Sequence, residues 1–212
     1  MEIAILLFDG FTALDAIGPY EVLTRVPRAE VSFVAAEARV HRDMCGAGIV
    51  ADRVIDDVVA PDVVVVPGGP GEVAVRTNDH VLSWLRAVHE TTTWTASVCT
   101  GSLVLAAAGL LDGVPATSHW LAREELARLG ADPVSARVVV DGRIITAAGV
   151  SAGIDMALLL ASMLEGDLVA QGIQLSLEYD PRPPFNAGSP DVAPPVVVEL
   201  ARAKSRFARA RA

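Results

Sequence analysis

The sequence has little of several features that define whole classes of protein. It contains only two cysteines, Cys45 and Cys99, which is too few for the disulfide framework of a small secreted domain. No apolar run approaches the ~18 residues that a membrane helix requires. The residues after Met1 lack the basic and apolar regions of a secretory signal. We therefore expect a cytoplasmic protein with reduced thiols and no membrane span.

Positive charge and aromatic side chains are also scarce. Seventeen lysines and arginines stand against 26 aspartates and glutamates, a formal net charge of −9, so we expect the molecule to repel nucleic acid. Five Phe, three Trp and two Tyr leave Ala, Val and Leu to build the interior. This composition suits helices packed on a valine-rich parallel sheet. The length of 212 residues predicts one large domain, spanning 1–212.

Strand-like and helix-like patterns alternate along the whole chain. Short apolar runs and two hairpins, the second turning at Asp141–Gly142, predict strands at 2–8, 30–36, 38–55, 61–66, 92–98, 114–119 and 136–149. Helical spacing of apolar residues predicts helices at 14–26, 79–89, 100–108, 120–130, 151–164 and from 196 onward. The segment 151–164 is apolar nearly all round, which predicts a buried helix. The alternation indicates an α/β domain with a mainly parallel sheet.

A cysteine lies where one of these strands becomes a helix, in "TASVCTGSLVLAAAGLL". Ligands of open α/β sheets bind at the carboxyl ends of the strands, where Cys99 is predicted to lie. A helix starting at Thr100 would aim its free N–H groups at the thiol, and we expect them to lower the thiol pKa. Gly101 and Ser102 are small enough for a close approach. The pattern is that of a nucleophile elbow, and the alternative is an inert buried cysteine.

Two other strand ends carry candidate partners for this thiol. The turn "PGGPG" follows a valine-rich strand, and the N–H groups of Gly68, Gly69 and Gly71 are candidates for stabilising an oxyanion. Asp15 follows the first strand at the same edge of the sheet, where its carboxyl group would be an acid–base partner for the thiol. An aspartate in that position is also a candidate helix cap. The convergence of three strand ends predicts a site.

Several segments together resemble the ThiJ/PfpI superfamily, whose members have a flavodoxin-like three-layer sandwich with a cysteine at the elbow. Within it they are similar to the isocyanide hydratases over nearly the whole chain. The segments that carry the resemblance are "LLFDGFTALDAIGPYEVL", "VVPGGPG", "SVCTGSLVLAAAGLLDG", "ATSHW", "GVSAGIDMAL" and "QLSLEYDPRPPFNAGSPDVAP".

The resemblance implies a homodimer with two active sites and a small-molecule substrate. Cys99 would be the nucleophile, Asp15 a carboxylic acid bonded to its sulfur, and Thr100 with the turn glycines would line the pocket. The implied reaction is hydration of an isocyanide to an N-formamide through a cysteine thioimidate, without a metal or organic cofactor. A thiol nucleophile with an acid beside it is chemically suited to both steps.

Threonine after the cysteine argues against two related activities. The protease-like members carry a histidine at the position of Thr100, and without it a Cys–His mechanism has no base. The glyoxalase-like members use a glutamate and a histidine where this chain has Asp15 and Thr100. The same block also resembles the amino-terminal domain of AraC-type transcription regulators. A non-catalytic or redox-sensing domain therefore stays open, although the chain stops at Ala212, before a DNA-binding domain would follow.

The other histidines and the second cysteine suggest little chemistry. His119 is a candidate base, but a structural role is the more common one at a strand end. Cys45 lies in a predicted hairpin without an acid–base partner, so we interpret it as an incidental thiol. The remaining histidines have no spacing that suits a metal, and we predict none; they are His41, His80 and His89.

Two segments near the C-terminus stand out by composition. The stretch 179–195 contains six prolines in seventeen residues. A loop of that length is usually functional, and we expect it to cover the dimer interface or the mouth of the pocket. The stretch 201–212 carries five basic residues and no acidic one. We interpret it as a terminal helix with Leu200 and Phe207 turned inward and its arginines in solvent.

Overall fold

The protein is built on a seven-stranded sheet, and the computed structural model describes residues 1–207. Its strands in chain order are β1 (Glu2–Leu6), β2 (Glu30–Ala35), β3 (Val40–Arg42), β4 (Gly48–Val50), β5 (Arg53–Val54), β6 (Val63–Val66), β7 (Trp94–Val98), β8 (Pro115–Ala116), β9 (Asp132–Pro133), β10 (Val138–Asp141) and β11 (Ile144–Ala147). The helices are α1 (Ala13–Leu23), α2 (Glu72–Val75), α3 (Asp79–His89), α4 (Gly101–Ala107), α5 (Arg123–Arg128), α6 (Ala152–Glu165), α7 (Asp167–Ser176) and α8 (Pro195–Lys204).

The strands of the main sheet lie in the order β10-β11-β7-β6-β1-β2-β5, and every neighbouring pair is parallel except β10 with β11. All four valines of β6 are fully buried, as expected for a strand covered on both faces. The chain passes from β1 outward to β2, and later from β6 outward the other way to β7. The topological switch point therefore lies between β1 and β6, where ligands of open α/β sheets bind.

Helices pack on the sheet in two groups. In the first, α1 contacts α6 and α6 contacts α7; in the second, α4 contacts α2, α3 and α5. Both α4 and α6 also contact β7. The arrangement is the flavodoxin-like three-layer α/β fold that the sequence predicts. The buried apolar side chains of these layers form one cluster.

The predicted elements agree with the structure where local signals are strong. Helix α3 begins and ends as predicted, and the Asn78 side chain caps it by accepting from the N–H groups of His80 and Val81. The hairpin between β10 and β11 turns one residue later than predicted, because Asp141 pairs with Ile144 inside the ladder. The two-residue loop is therefore 142–143.

Two helices expose residues that the sequence pattern placed inside. In α6, Leu159 and Met163 are each 39% exposed, so the predicted full burial is wrong for the single chain. In α8 no residue is buried and Leu200 is 56% exposed, which corrects its predicted inward orientation. Phe207, just after α8, is partly buried against the core as predicted. The rest of the arginine-rich tail, from residue 208, lies outside the described residues.

None of the helices between residues 1 and 207 is both long enough and apolar enough to cross a lipid bilayer.

Candidate active site

The three predicted strand ends do meet at one edge of the sheet. Asp15 lies in the first turn of α1 after β1, the glycine turn Pro67–Gly71 follows β6, and Cys99 follows β7. Asp15 is fully buried and Cys99 is 5% exposed. The Asp15 carboxyl and the Cys99 thiol interact directly, and Gly68 donates its N–H to Asp15 Oδ2 at 3.0 Å. The structure therefore brings together residues that are up to 84 positions apart in the chain.

Cys99 has the backbone conformation of a nucleophile elbow. Its φ of +58° lies in the left-handed region, which is costly for a residue with a Cβ. Backbone hydrogen bonds hold it there: its N–H reaches the carbonyl oxygens of Ala147 at 3.0 Å and Ala148 at 2.9 Å. Its own carbonyl accepts from the hydroxyls of Ser118 at 3.0 Å and Ser102 at 3.2 Å. The sharp turn fixes the thiol at the end of β7.

Small residues are required around this elbow, as the sequence suggested. A Cβ on Gly101 would lie 2.1 Å from the carbonyl oxygen of Val66, well inside contact distance. A Cβ on Gly68 would lie 2.4 Å from the backbone nitrogen of Thr100. Glycine at these positions lets α4 and the glycine turn approach each other closely. The close approach sets the distance between the turn and the thiol.

Asp15 does not cap its helix. The residue at the cap position of α1 is Thr12, and no side chain caps that end. The Asp15 carboxyl instead reaches across to Gly68 and the Cys99 thiol. Its Oδ1 atom has no hydrogen bond of good geometry in the described part of the chain. Burial raises the pKa of Asp15 to about 7, although the Gly68 N–H and the thiol both lower it. This carboxyl group therefore exchanges its proton near neutral pH.

The thiol pKa is raised, so the predicted lowering by the α4 helix is wrong. Burial, followed by the negative charge of Asp15, raises the pKa of Cys99 to about 12. The backbone N–H groups of Val150 and Thr100 lower the pKa of Cys99 and oppose this shift without overcoming it. Both members of the pair thus favour their protonated forms, and together they keep a proton through neutral pH. A buried pair that keeps a proton is equipped for acid–base chemistry beside a nucleophile.

The three turn N–H groups predicted to stabilise an oxyanion are already engaged inside the protein. Gly68 donates to Asp15, Gly69 to Thr100 Oγ1 at 2.9 Å, and Gly71 to the carbonyl of Gly10 at 3.0 Å. Because these N–H groups already donate within the protein, the geometry does not support the prediction that they stabilise a substrate oxyanion. Thr100 accepts from the turn through its hydroxyl, and its predicted role in lining a substrate pocket stays a prediction.

Sequence reasoning missed Val150, whose backbone N–H lowers the pKa of Cys99. Its φ of +23° is unusual for a β-branched residue and indicates local backbone strain. Val150 lies two residues before α6, between the predicted hairpin at 136–149 and the predicted helix at 151–164. No local signal marks a backbone N–H as a thiol ligand, because any residue type supplies one.

His119 lies beside this site but has structural contacts of its own. A Cβ on Gly149 would lie 2.9 Å from the His119 ring, which places the ring next to the strained segment. The His119 Nδ1 atom accepts from the N–H of Leu121 at 3.3 Å, so the neutral ring carries its proton on Nε2. Burial lowers the pKa of His119, and the charges of Arg123 and Arg206 lower it further. A catalytic role for this residue stays a prediction.

The remaining sequence candidates lie apart from the site. Cys45 is exposed at the turn between β3 and β4. His41, His80 and His89 do not come together, and no group of metal-ligating side chains is found between residues 1 and 207. The proline-rich stretch has no helix or strand before α8, and its Phe185 is 77% exposed. Its predicted position over a dimer interface or pocket mouth stays a prediction.

Known proteins are similar to this chain in sequence and in fold. The isonitrile hydratase of Pseudomonas putida is 43% identical over 205 residues, which cover 97% of this chain and 90% of that enzyme. The crystal structure of a ThiJ/PfpI family protein from Pseudomonas syringae superposes with a TM-score of 0.93 at 38% identity. That match covers 99% of this chain and 89% of the other.

A transcription regulator is also similar. The HTH-type transcriptional regulator GbdR of Pseudomonas aeruginosa strain UCBPP-PA14 is 30% identical over 190 residues. The match covers 84% of this chain, which spans about half of that regulator (51%). The sequence profile of the DJ-1/PfpI family matches residues 1–163, which include the elbow, the glycine turn and Asp15. The chain belongs to the DJ-1/PfpI family.

Proposed function

We propose that this protein hydrates isocyanides to N-substituted formamides, with Cys99 as the nucleophile. The observation that carries the proposal is the buried pair of Cys99 and Asp15, in a chain 43% identical to an isonitrile hydratase over 97% of its length. The pair supplies a sulfur nucleophile and an exchangeable proton. The overall reaction is R–N≡C plus water giving R–NH–CHO, and it needs only those two functions.

The first step adds the thiol across the isocyanide carbon. The Cys99 thiol gives its proton to Asp15 and its sulfur bonds to that carbon, while Asp15 returns a proton to the same carbon. The product is a thioimidate, R–N=CH–S–Cys99. An Asp15 pKa of about 7 suits this relay, since a group near neutrality can both accept and donate at cellular pH.

The second step releases the product with water. Water adds to the C=N bond, its oxygen bonding to carbon and a proton reaching nitrogen through Asp15. The tetrahedral adduct, R–NH–CH(OH)–S–Cys99, then breaks its C–S bond. The hydroxyl proton returns through Asp15 to the sulfur, and the formamide leaves. The N–H groups of Val150 and Thr100 would stabilise the departing sulfur, because they favour its negative charge by lowering the pKa of Cys99.

Product formation from an aryl isocyanide tests this proposal. The purified protein is mixed with the isocyanide, and the N-formamide is followed by chromatography. We expect turnover in the parent and in Cys45→Ser, and none in Cys99→Ala. Asp15→Asn keeps an acceptor for the Gly68 N–H but cannot relay a proton, so we expect a rate at least ~100-fold lower. Full activity in Cys99→Ala would refute the nucleophile, and full activity in Asp15→Asn would refute the relay.

A second candidate is a non-catalytic or redox-sensing domain, favoured by the 30% identity to a transcription regulator. In that case the parent protein yields no formamide from any isocyanide offered. Treatment of the Cys45→Ser variant with peroxide would instead oxidise Cys99 to a sulfenic or sulfinic acid, which mass spectrometry detects. Turnover that depends on Cys99 would rule this candidate out.

A further inference from the structure

The chain just after α8 is anchored at the edge of the active site. Ser205 is buried, and the N–H of Phe207 donates to the Ser205 hydroxyl at 3.1 Å. Between them, the Arg206 guanidinium lies 4.6 Å from the centre of the Phe207 ring. Phe207 itself packs against the core. Arg206 therefore does not lie free in solvent, as the composition of the tail had suggested.

The partner of Arg206 is a carboxylate with no exposure to solvent. Glu72 begins α2, directly after the glycine turn, and is fully buried. Arg206 contacts Glu72 Oε1 at 2.6 Å, and Arg76 contacts Oε2 at 2.6 Å from one turn further along α2. Burial raises the pKa of Glu72, and the two arginines oppose that rise. A buried carboxylate stays ionised only where partners of opposite charge compensate for its lost hydration.

Arg206 has a second contact that Arg76 lacks. Its other terminal nitrogen donates to the carbonyl of Pro70, inside the glycine turn, at 3.3 Å. The guanidinium thus connects Pro70, near the end of the turn, with Glu72, the first residue of α2. A planar guanidinium can make both bonds at once, whereas a lysine ammonium is a single point charge.

The first half of the same turn contacts Asp15 and the residue after Cys99. Gly68 donates to Asp15, and Gly69 donates to Thr100, the residue after Cys99. The Gly68 N–H is a principal contact that lowers the Asp15 pKa. A shift of the turn by a few tenths of an ångström would weaken these bonds, because the hydrogen bonds are directional. Asp15 thus contacts the first half of the glycine turn, and Arg206 contacts its second half and the residue that follows it.

We propose that Arg206 is a positioning residue of the active site. Its guanidinium cross-links Pro70 and Glu72, so that the chain after α8 holds the glycine turn against Asp15 and Thr100. This inference rests on the proposed function only in taking Cys99 as the nucleophile. It extends that function by assigning part of the site's geometry to a residue 107 positions after the nucleophile.

The test compares Arg206→Ala with Lys204→Ala, both made in Cys45→Ser so that Cys99 is the only thiol. Lys204 is exposed at the end of α8, so its removal matches the change in charge and location. Two quantities are measured: kcat with an aryl isocyanide, and the rate of Cys99 alkylation by iodoacetamide as a function of pH. The alkylation rate should level off where the Cys99–Asp15 pair loses its first proton, which reports on Asp15 without requiring turnover.

For Arg206→Ala we expect kcat to fall about ten-fold. We also expect the levelling-off point to rise by about half a pH unit, since a weakened Gly68 bond raises the Asp15 pKa. Millimolar guanidinium should restore both quantities in Arg206→Ala, while Lys204→Ala should match the parent throughout. A parent-like levelling-off point in folded Arg206→Ala would overturn the proposal, as would a shift that guanidinium fails to reverse.

Arg206→Lys decides the question if Arg206→Ala does not fold. It retains a charge for Glu72 but loses the two-point bridge, so we expect a smaller rise of the levelling-off point in the same direction. An unchanged point in this variant would overturn the proposal. If the parent hydrates no isocyanide, the proposed function fails. The alkylation profiles alone then decide whether Arg206 is a positioning residue.

Discussion

At the scale of single residues, burial outweighs the helix end at the candidate nucleophile. The sequence suggests a thiolate favoured by the start of α4, yet the Cys99 pKa rises to about 12. The end of a helix stabilises a thiolate only through a fractional positive charge. Burial removes the full negative charge of the thiolate from water and places it beside Asp15, and this cost is larger. The raised pKa of Cys99 disfavours a free thiolate at neutral pH, which is why the proposed mechanism passes the thiol proton to Asp15.

The raised Asp15 pKa predicts how stability depends on pH. The carboxyl pKa is 3.8 before folding and about 7 after it, so the folded state binds the extra proton between those values. Stability therefore declines as pH rises through this window, and the cost is fully present above about pH 7. Asp15→Asn removes the titration. We expect it to gain a few kcal/mol relative to the parent on going from about pH 4 to about pH 8.

Urea unfolding of both proteins at the two pH values measures this difference. Asp191→Asn is the control, because its carboxyl group is exposed in the proline-rich stretch. We expect the control to follow the parent at both pH values. A parallel pH dependence of Asp15→Asn and the parent would contradict the shifted pKa.

At the scale of elements, close approach of backbones decides where helices lie. Helix α4 begins at Gly101 against the carbonyl of Val66, the last residue of β6. Helix α7 contains Gly172, which has no neighbour within 4 Å of a Cβ position. Both glycines lie in helices of the structure, and they differ in what surrounds them.

This difference predicts opposite effects for one substitution. Gly101→Ala places a methyl group 2.1 Å from a backbone oxygen, so we expect a loss of at least about 2 kcal/mol in the free energy of unfolding. Gly172→Ala should instead gain about 0.5–1 kcal/mol, because alanine favours the helix. Denaturant titration followed by circular dichroism measures both. Equal effects of the two substitutions would show that the approach of α4 to β6 is not constrained.

At the scale of the whole molecule, apolar side chains on α1 and α6 remain uncovered. Leu159 and Met163 of α6 are each 39% exposed and Leu14 of α1 is 40% exposed, and these two helices pack together. Apolar exposure on a helix that the sequence pattern marks as buried indicates a covering partner. We propose that a second copy of the chain covers it, in line with the homodimer that the family resemblance implies.

Sedimentation velocity tests this assembly. We expect the parent to sediment as a dimer, and Met163→Glu to shift it to the monomer, because the substitution buries an unpaired charge in the interface. Val59→Glu is the control, since Val59 is 74% exposed in the connection before β6. A dimer that survives Met163→Glu, or one that Val59→Glu disrupts equally, would place the interface elsewhere.

Local patterns alone were enough to predict the α/β class and the meeting of Asp15, the glycine turn and Cys99 at one edge of the sheet. Four consecutive valines predict a strand buried on both faces. The apolar spacing in 79–89 predicts α3, because the apolar stripe of a helix depends only on residues a few positions apart. The change from a strand pattern to a helix pattern at Cys99 predicts an elbow, and it too is visible in a short stretch of sequence. In an alternating α/β chain the carboxyl ends of parallel strands share one edge, so Asp15 and the glycine turn follow from topology.

The properties that govern chemistry were decided only by the tertiary structure. The raised pKa values of Asp15 and Cys99 come from burial, which depends on everything packed around them. The occupied N–H groups of the glycine turn and the contact of Arg206 with Glu72 join residues far apart in sequence. Desolvation and long-range hydrogen bonding are collective effects of the folded chain, and no short stretch of sequence records them.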